Sequence, residues 1–151
     1  MKKMFYLIAP VFAVMAGCVG EDEPEVRSIV EVGDRLPEFS VVLNDGSTLT
    51  TEMLRGAESM IVFFTTTCGD CRRELPRINT YADAHPEVRV VCISRSQTQQ
   101  QVEALWEEKG LTMPYSVQTD AGVYSMFATA GVPRVYTADA SLYVTGVYFL
   151  E

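Results

Sequence analysis

Met60-Ile61-Val62-Phe63-Phe64 is an unbroken apolar run, and four residues after it the chain places Cys68-Gly69-Asp70-Cys71. A run without polar alternation suits a central strand covered on both faces, so structure must lie above and below the sheet. Directly afterwards Cys71, Leu75, Ile78 and Ala82 recur at helical spacing, which predicts a helix over 69–84 with one inward stripe. A buried strand that turns straight into an amphipathic helix, with two cysteines at the turn, restricts the fold to the α/β class.

The rest of the chain extends that pattern. Segments 41–43 and 47–50 flank Asn44-Asp45-Gly46, a hairpin signal, and 51–55 reads as one helical turn. A second central strand is expected over 88–93, and a second helix over 97–109 with Val102, Leu105 and Trp106 inward and Gly110 as its stop. A short strand over 115–117 follows, then a short helix capped by Asp120 and running to about Ala128. Gly131-Val132-Pro133 leads into a strand over 134–137, and Asp139-Ala140-Ser141 turns the chain into a last strand over 142–149. The sum is a layered α/β sandwich with a mixed sheet, one domain over 32–151, and no internal repeat.

The residues before it differ in kind. Lys2 and Lys3 precede an almost wholly apolar stretch, 4–16, that is too short for the roughly 18 to 20 residues of a spanning helix and fits a secretion signal. Its end, Met15-Ala16-Gly17-Cys18, resembles a bacterial lipoprotein signal. That resemblance implies cleavage of 1–17 and lipid on Cys18, with acyl chains holding the protein to a membrane. Residues 18–31 contain Glu21-Asp22-Glu23-Pro24-Glu25 and read as an acidic tether, similar also to surface-export signals of some Bacteroidetes lipoproteins. The expected location is the periplasmic or cell-surface side of a bacterial membrane. A formal net charge of −8 argues against a nucleic-acid partner, which needs a basic surface.

Of the four cysteines, Cys18 is taken by lipid and Cys92 lies inside the apolar pattern 88–93 as a buried thiol. Cys68 and Cys71 remain, one plausible bridge in an oxidising compartment, which points to a working disulfide. The first turn of a helix offers unpaired N–H groups and a positive dipole end, which stabilise thiolate. Spacing i, i+3 puts both sulfurs on one side of that turn, within disulfide reach. Cys68, at the mouth, is expected to attack, and Cys71, one turn deeper, to resolve the mixed disulfide. Zinc uses the same C-x-x-C spacing but needs further ligands, and the sole histidine, His85, falls in a loop before Pro86, so no metal site is expected.

At this point the chain resembles the thioredoxin superfamily, and within it the TlpA/ResA-like group of tethered thiol–disulfide oxidoreductases, related to the AhpC/TSA proteins. The likeness runs over about 32–149. It rests on 32–39 (Val-Gly-Asp-Arg-Leu-Pro-Glu-Phe), the hairpin at Asp45-Gly46, the strand into C-x-x-C, Arg72-Arg73-Glu74-Leu75-Pro76, and Gly131-Val132-Pro133. It implies a three-layer thioredoxin-like sandwich with an N-terminal hairpin extension. It implies that Pro133 is cis and faces the cysteines, that the Val132 backbone pairs with an extended substrate segment, and that Arg134 belongs to the same substrate-binding loop. Glu74 matches an acidic residue of the group and, sharing a stripe with Cys71 and Ile78, is expected either as a part-buried proton relay or as a surface partner of Arg77. Pro76 matches a helix-bending proline.

Departures stand beside the likeness. Thr67 replaces the usual Trp, Asp70 the usual Pro, and Val62 the buried Asp of thioredoxin. Acidic Asp70 opposes thiolate, while Arg72, Arg73 and Arg134 favour it. The family's last helix is missing after the final strand, which predicts an exposed apolar edge at Tyr148, Phe149 and Leu150. The function expected is a thiol–disulfide oxidoreductase, acting as a reductase of exported disulfide-containing proteins, recharged by a membrane electron donor, with no cofactor beyond the Cys68–Cys71 disulfide. Two alternatives stay open. Thr65-x-x-Cys68 resembles the peroxiredoxin motif and allows a thiol peroxidase, although Ile61 replaces that motif's proline. Two soft thiolates also allow a non-enzymatic binding module or Cu(I) carrier.

Overall fold

The structure, a computed structural model, describes residues 27–150. The leader, Cys18 and the acidic stretch 21–25 lie outside the described residues. The elements are β1 (Ser40–Val42), β2 (Thr48–Thr50), a 3-10 turn (Thr51–Leu54), β3 (Ser59–Phe64), α1 (Gly69–Ala84), β4 (Arg89–Ser94), α2 (Gln99–Lys109), β5 (Tyr115–Ser116), α3 (Gly122–Ser125), β6 (Arg134–Ala138) and β7 (Val144–Phe149). β1 and β2 form an antiparallel hairpin, and the other five strands form one mixed sheet in the order β5-β4-β3-β6-β7.

β3 is central because its sequence suits it: Ile61 to Phe64 are all fully buried. It pairs in parallel with β4, which pairs in parallel with β5, while β6 and β7 add antiparallel. Both parallel crossovers move the same way across the sheet, so right-handed connections set α1 and α2 on one face. Val62 and Phe64 meet that layer, packing with Leu75, Val102, Leu105 and Trp106. Ile61 and Phe63 point to the other face and join Leu36, Phe39, Leu54, Phe127 and Tyr136. This is the expected thioredoxin-like three-layer α/β arrangement.

Most boundaries fall within one residue of expectation, and three elements depart by two residues or more, each for a local reason. α2 starts at Gln99, not 97, because Thr98 caps it: the Thr98 hydroxyl accepts the Gln101 N–H, and the Gln101 side chain accepts the Thr98 N–H. Such a capping box contributes about 1 kcal/mol, so Thr98→Ala is expected to lower unfolding free energy by about that amount in urea titration. α3 is only four residues long. Asp120 does not cap it; its carboxylate accepts the Gly122 N–H at 2.8 Å in a tight turn. Past Ser125 the backbone is diverted: the Phe127 carbonyl accepts Ile29 and Val30 N–H groups, and Ser28 bridges Ala128. The last strand starts at Val144, since Asp139 holds the turn by accepting N–H groups of Ser141 and Tyr143, and Leu142 takes φ 70°. At the far edge Tyr148 and Phe149 are exposed as expected, whereas Leu150 is partly buried against the helical layer.

Candidate functional site: the Cys68–Cys71 turn and the Pro133 loop

β3 ends at Phe64, and the loop 65–67 delivers Cys68 as the N-cap of α1. Its backbone is extended there (φ −77°, ψ 120°), so Sγ folds back over the first turn and accepts the Cys71 N–H at 3.2 Å. The thiol therefore occupies the place a Ser or Asp cap usually fills, and answers one of the helix's orphan donors. The same Sγ donates to the Val132 carbonyl at 3.5 Å. The Val132–Pro133 peptide is cis. Residues 68 and 132, distant in sequence, thus meet where strand β3 and strand β6 lie side by side.

The two thiols are not equivalent. Cys68 is part exposed, while Cys71 is fully buried. Burial first, and then the hydrogen-bonded Cys68 thiol, push the Cys71 thiol well above its ordinary value, against a lowering contribution from the Thr65 backbone N–H. Cys92 is raised by burial alone. A folded state that holds protons more tightly than the unfolded chain loses stability as pH climbs past the ordinary thiol value of 9.0. Stability is therefore expected to be full below about pH 9 and to fall above it, measured as the urea midpoint between about pH 7 and pH 10. Cys92→Ala is expected to flatten that decline, with the buried Tyr136 hydroxyl adding only at still higher pH.

Glu74 is both buried and ion-paired. It is 9% exposed on the stripe with Cys71, Leu75 and Ile78, and it pairs with Arg77 at 3.1 Å and Arg73 at 3.5 Å. The arginines expected to favour thiolate are otherwise engaged. Arg73 binds Asp70 at 2.5 Å, so the acid inside the C-x-x-C is neutralised by its own helix. Arg72 binds Glu108 and donates to the Thr66 carbonyl at 3.2 Å. Arg134 is buried, donates Nε–H to the Ala130 carbonyl at 2.9 Å, and stacks 5.5 Å from the Phe149 ring; its Nη2 has no hydrogen-bond partner among the described residues. It therefore braces the loop before Pro133 from beneath.

Two further residues support the site. Tyr124 donates its hydroxyl to the Gly131 carbonyl at 2.7 Å, under the Arg95 guanidinium at 4.7 Å. Gln97 accepts the Thr66 N–H at 2.9 Å. A sequence signal existed for the second: Thr98-x-x-Gln101 is a capping box, which leaves Gln97 outside the helix and free to bond elsewhere. Depressions lined by Leu43, Val88 and Met113, and by Arg35, Phe39 and Glu52, lie away from Cys68, which is itself part exposed.

Comparison with known proteins agrees with this fold. The family model described as Redoxin matches residues 31–146. The thioredoxin-like protein YneN of Bacillus subtilis is 25% identical over 73% of this chain, and the match spans 66% of YneN's own length. The thiol–disulfide oxidoreductase ResA of Oceanobacillus iheyensis is 26% identical over 88% of this chain and 70% of its own. A solved structure from Bacteroides thetaiotaomicron, described as a protein disulfide isomerase, superposes with a TM-score of 0.76 at 26% identity, covering 82% of each chain. With Cys68 capping α1 beside a cis proline on a thioredoxin-like sheet, the chain belongs to the Redoxin family, and the relatives it matches include thiol–disulfide oxidoreductases of the ResA type.

Proposed function

We propose that this protein is a membrane-anchored, extracytoplasmic thiol–disulfide oxidoreductase that reduces disulfides in exported proteins. The observation that carries the reading is the asymmetry of the pair: a part-exposed Cys68 beside Val132, with a fully buried Cys71 hydrogen-bonded behind it. The Cys68 thiolate attacks one sulfur of a substrate disulfide, forming a mixed disulfide and releasing the other sulfur as thiolate. Cys71 then loses its proton and attacks Cys68 Sγ. The substrate's second thiolate leaves, and the two electrons it has gained come from the pair, now a Cys68–Cys71 disulfide. A dithiol donor in the membrane returns two electrons and two protons. No cofactor beyond the cysteine pair takes part.

The roles proposed for the neighbouring residues go with this reading. The Val132 backbone aligns an extended substrate, Pro133 and Arg134 shape its loop, and Glu74, one turn below Cys71, serves as proton relay for the resolving thiol. The anchor is lipid on Cys18. Labelled fatty acid is expected on the full chain and not on Cys18→Ser; label on both variants overturns the anchor.

Redox direction is read by equilibrating the protein with glutathione or dithiothreitol. A reduction potential near or below thioredoxin's roughly −270 mV supports a reductase, and one near roughly −120 mV a disulfide donor. No reversible Cys68–Cys71 disulfide at all sinks the oxidoreductase reading. Peroxide turnover would then move the assignment to a thiol peroxidase, and tight Cu(I) binding lost in Cys68→Ser to a carrier.

A further inference from the structure

The loop 65–67 has no strand or helix to hold it, yet it sets where the attacking sulfur sits. Thr66, two residues before Cys68, is 8% exposed, and all three of its polar groups are tied to side chains. Its N–H donates to Gln97 Oε1 at 2.9 Å, its hydroxyl donates to the same oxygen, and its carbonyl accepts from Arg72. Gln97 is equally buried, and its Nε2 donates to the Arg95 and Ser96 carbonyls at 3.2 and 2.8 Å. Ser96 holds φ 53°, a left-handed conformation few non-glycine residues take, and this turns its carbonyl onto the amide. One carboxamide thus joins the end of β4 to the loop that carries Cys68.

We propose that Gln97 is a positioning residue for the redox reaction, holding Cys68 Sγ where it caps α1 and so favouring the dithiol over the disulfide. This rests on the oxidoreductase reading. Sγ caps the helix only as thiol or thiolate; once bonded to Cys71 it is a poor acceptor, so the anchored loop stabilises the reduced state more than the oxidised one. Releasing the loop removes that preference.

The test is the equilibrium of the full chain with glutathione, read by alkylation and mass. Gln97→Ala is expected to shift the constant about tenfold toward the Cys68–Cys71 disulfide, which is 29.6 mV more negative, and to slow Cys68 alkylation by iodoacetamide several-fold. Thr66→Val, which keeps the N–H bond and loses the hydroxyl bond, is expected to shift it in the same direction by less and serves if Gln97→Ala does not fold. Thr66→Ser, with both donors retained, is expected to match the parent. Variants that lose thermal stability but keep the parent's constant and alkylation rate overturn the proposal, leaving Gln97 a fold contact. A parent with no reversible disulfide overturns the underlying reading as well.

Discussion

Serine at position 68 is expected to abolish disulfide exchange, with a loss of at least about 10³-fold in turnover of a model disulfide, because a hydroxyl cannot form the sulfur–sulfur bond that the reaction requires. The fold should survive, since Cys68 is part exposed and a serine hydroxyl is a good helix cap in the same place. Cys71→Ser separates the two roles. Attack by Cys68 remains, but nothing resolves the mixed disulfide, so the adduct with substrate or glutathione is expected to accumulate and to be visible by mass until a reductant is added. Burial of Cys71 strengthens this expectation, because an external thiol must reach Cys68 Sγ from the open side near Val132. Turnover surviving in Cys68→Ser, or an adduct forming on Cys71 in its place, would refute the assignment. The peroxidase alternative gives a different pattern: Cys71→Ser would still form a sulfenate on Cys68 with peroxide and no adduct with substrate disulfides.

Much of this was legible before any coordinates. The run 60–64 announced a strand with no polar side, and burial of Ile61 to Phe64 on both faces is what such a run demands. The cysteine pair at a strand-to-helix turn was legible because spacing and helix position are local properties. What sequence could not show was partnership. Arg72 and Arg73 look like activators of a thiolate when read as charges near Cys68; in the fold each already holds an acid, Glu108 thirty-six residues away and Asp70 one turn back. Glu74 forced a choice between burial and ion pairing, and the fold allows both, since the carboxylate lies low on α1 while Arg77 reaches over it. The short α3 failed for the same reason. Its sequence could continue a helix, but the Phe127 carbonyl is given to residues 29 and 30, nearly a hundred positions earlier. Gln97 and Tyr124 act on loops remote in sequence, and neither residue type in isolation signals a bond to Thr66 or Gly131.

Phe63→Ala should be among the most damaging core substitutions on the sheet face opposite α1 and α2, costing about 3–5 kcal/mol. The ring is fully buried and packs against three others, at centroid distances of 4.9 Å to Phe127, 5.5 Å to Tyr124 and 6.0 Å to Tyr136. These lie on α3, the segment after it, and β6, so no single neighbour can move in to close the void. At roughly 4 °C per kcal/mol for a domain of this size, the melting temperature should drop by about 10–20 °C. A second consequence separates this site from ordinary core loss. Tyr124 meets Phe63 edge-on and passes its hydroxyl to the Gly131 carbonyl, next to the Val132 that faces Cys68. Loosening the Tyr124 ring therefore loosens the loop that aligns substrate. Folded Phe63→Ala, assayed well below its melting temperature, is expected to raise the apparent KM for a disulfide-containing peptide. Leu105→Ala, a comparable loss among the α2 contacts on the other face, is expected to lower stability with KM unchanged. Equal changes in both variants would mean that the core supports the site only through global stability; a change confined to Phe63→Ala would trace a packed path from the sheet to the substrate loop.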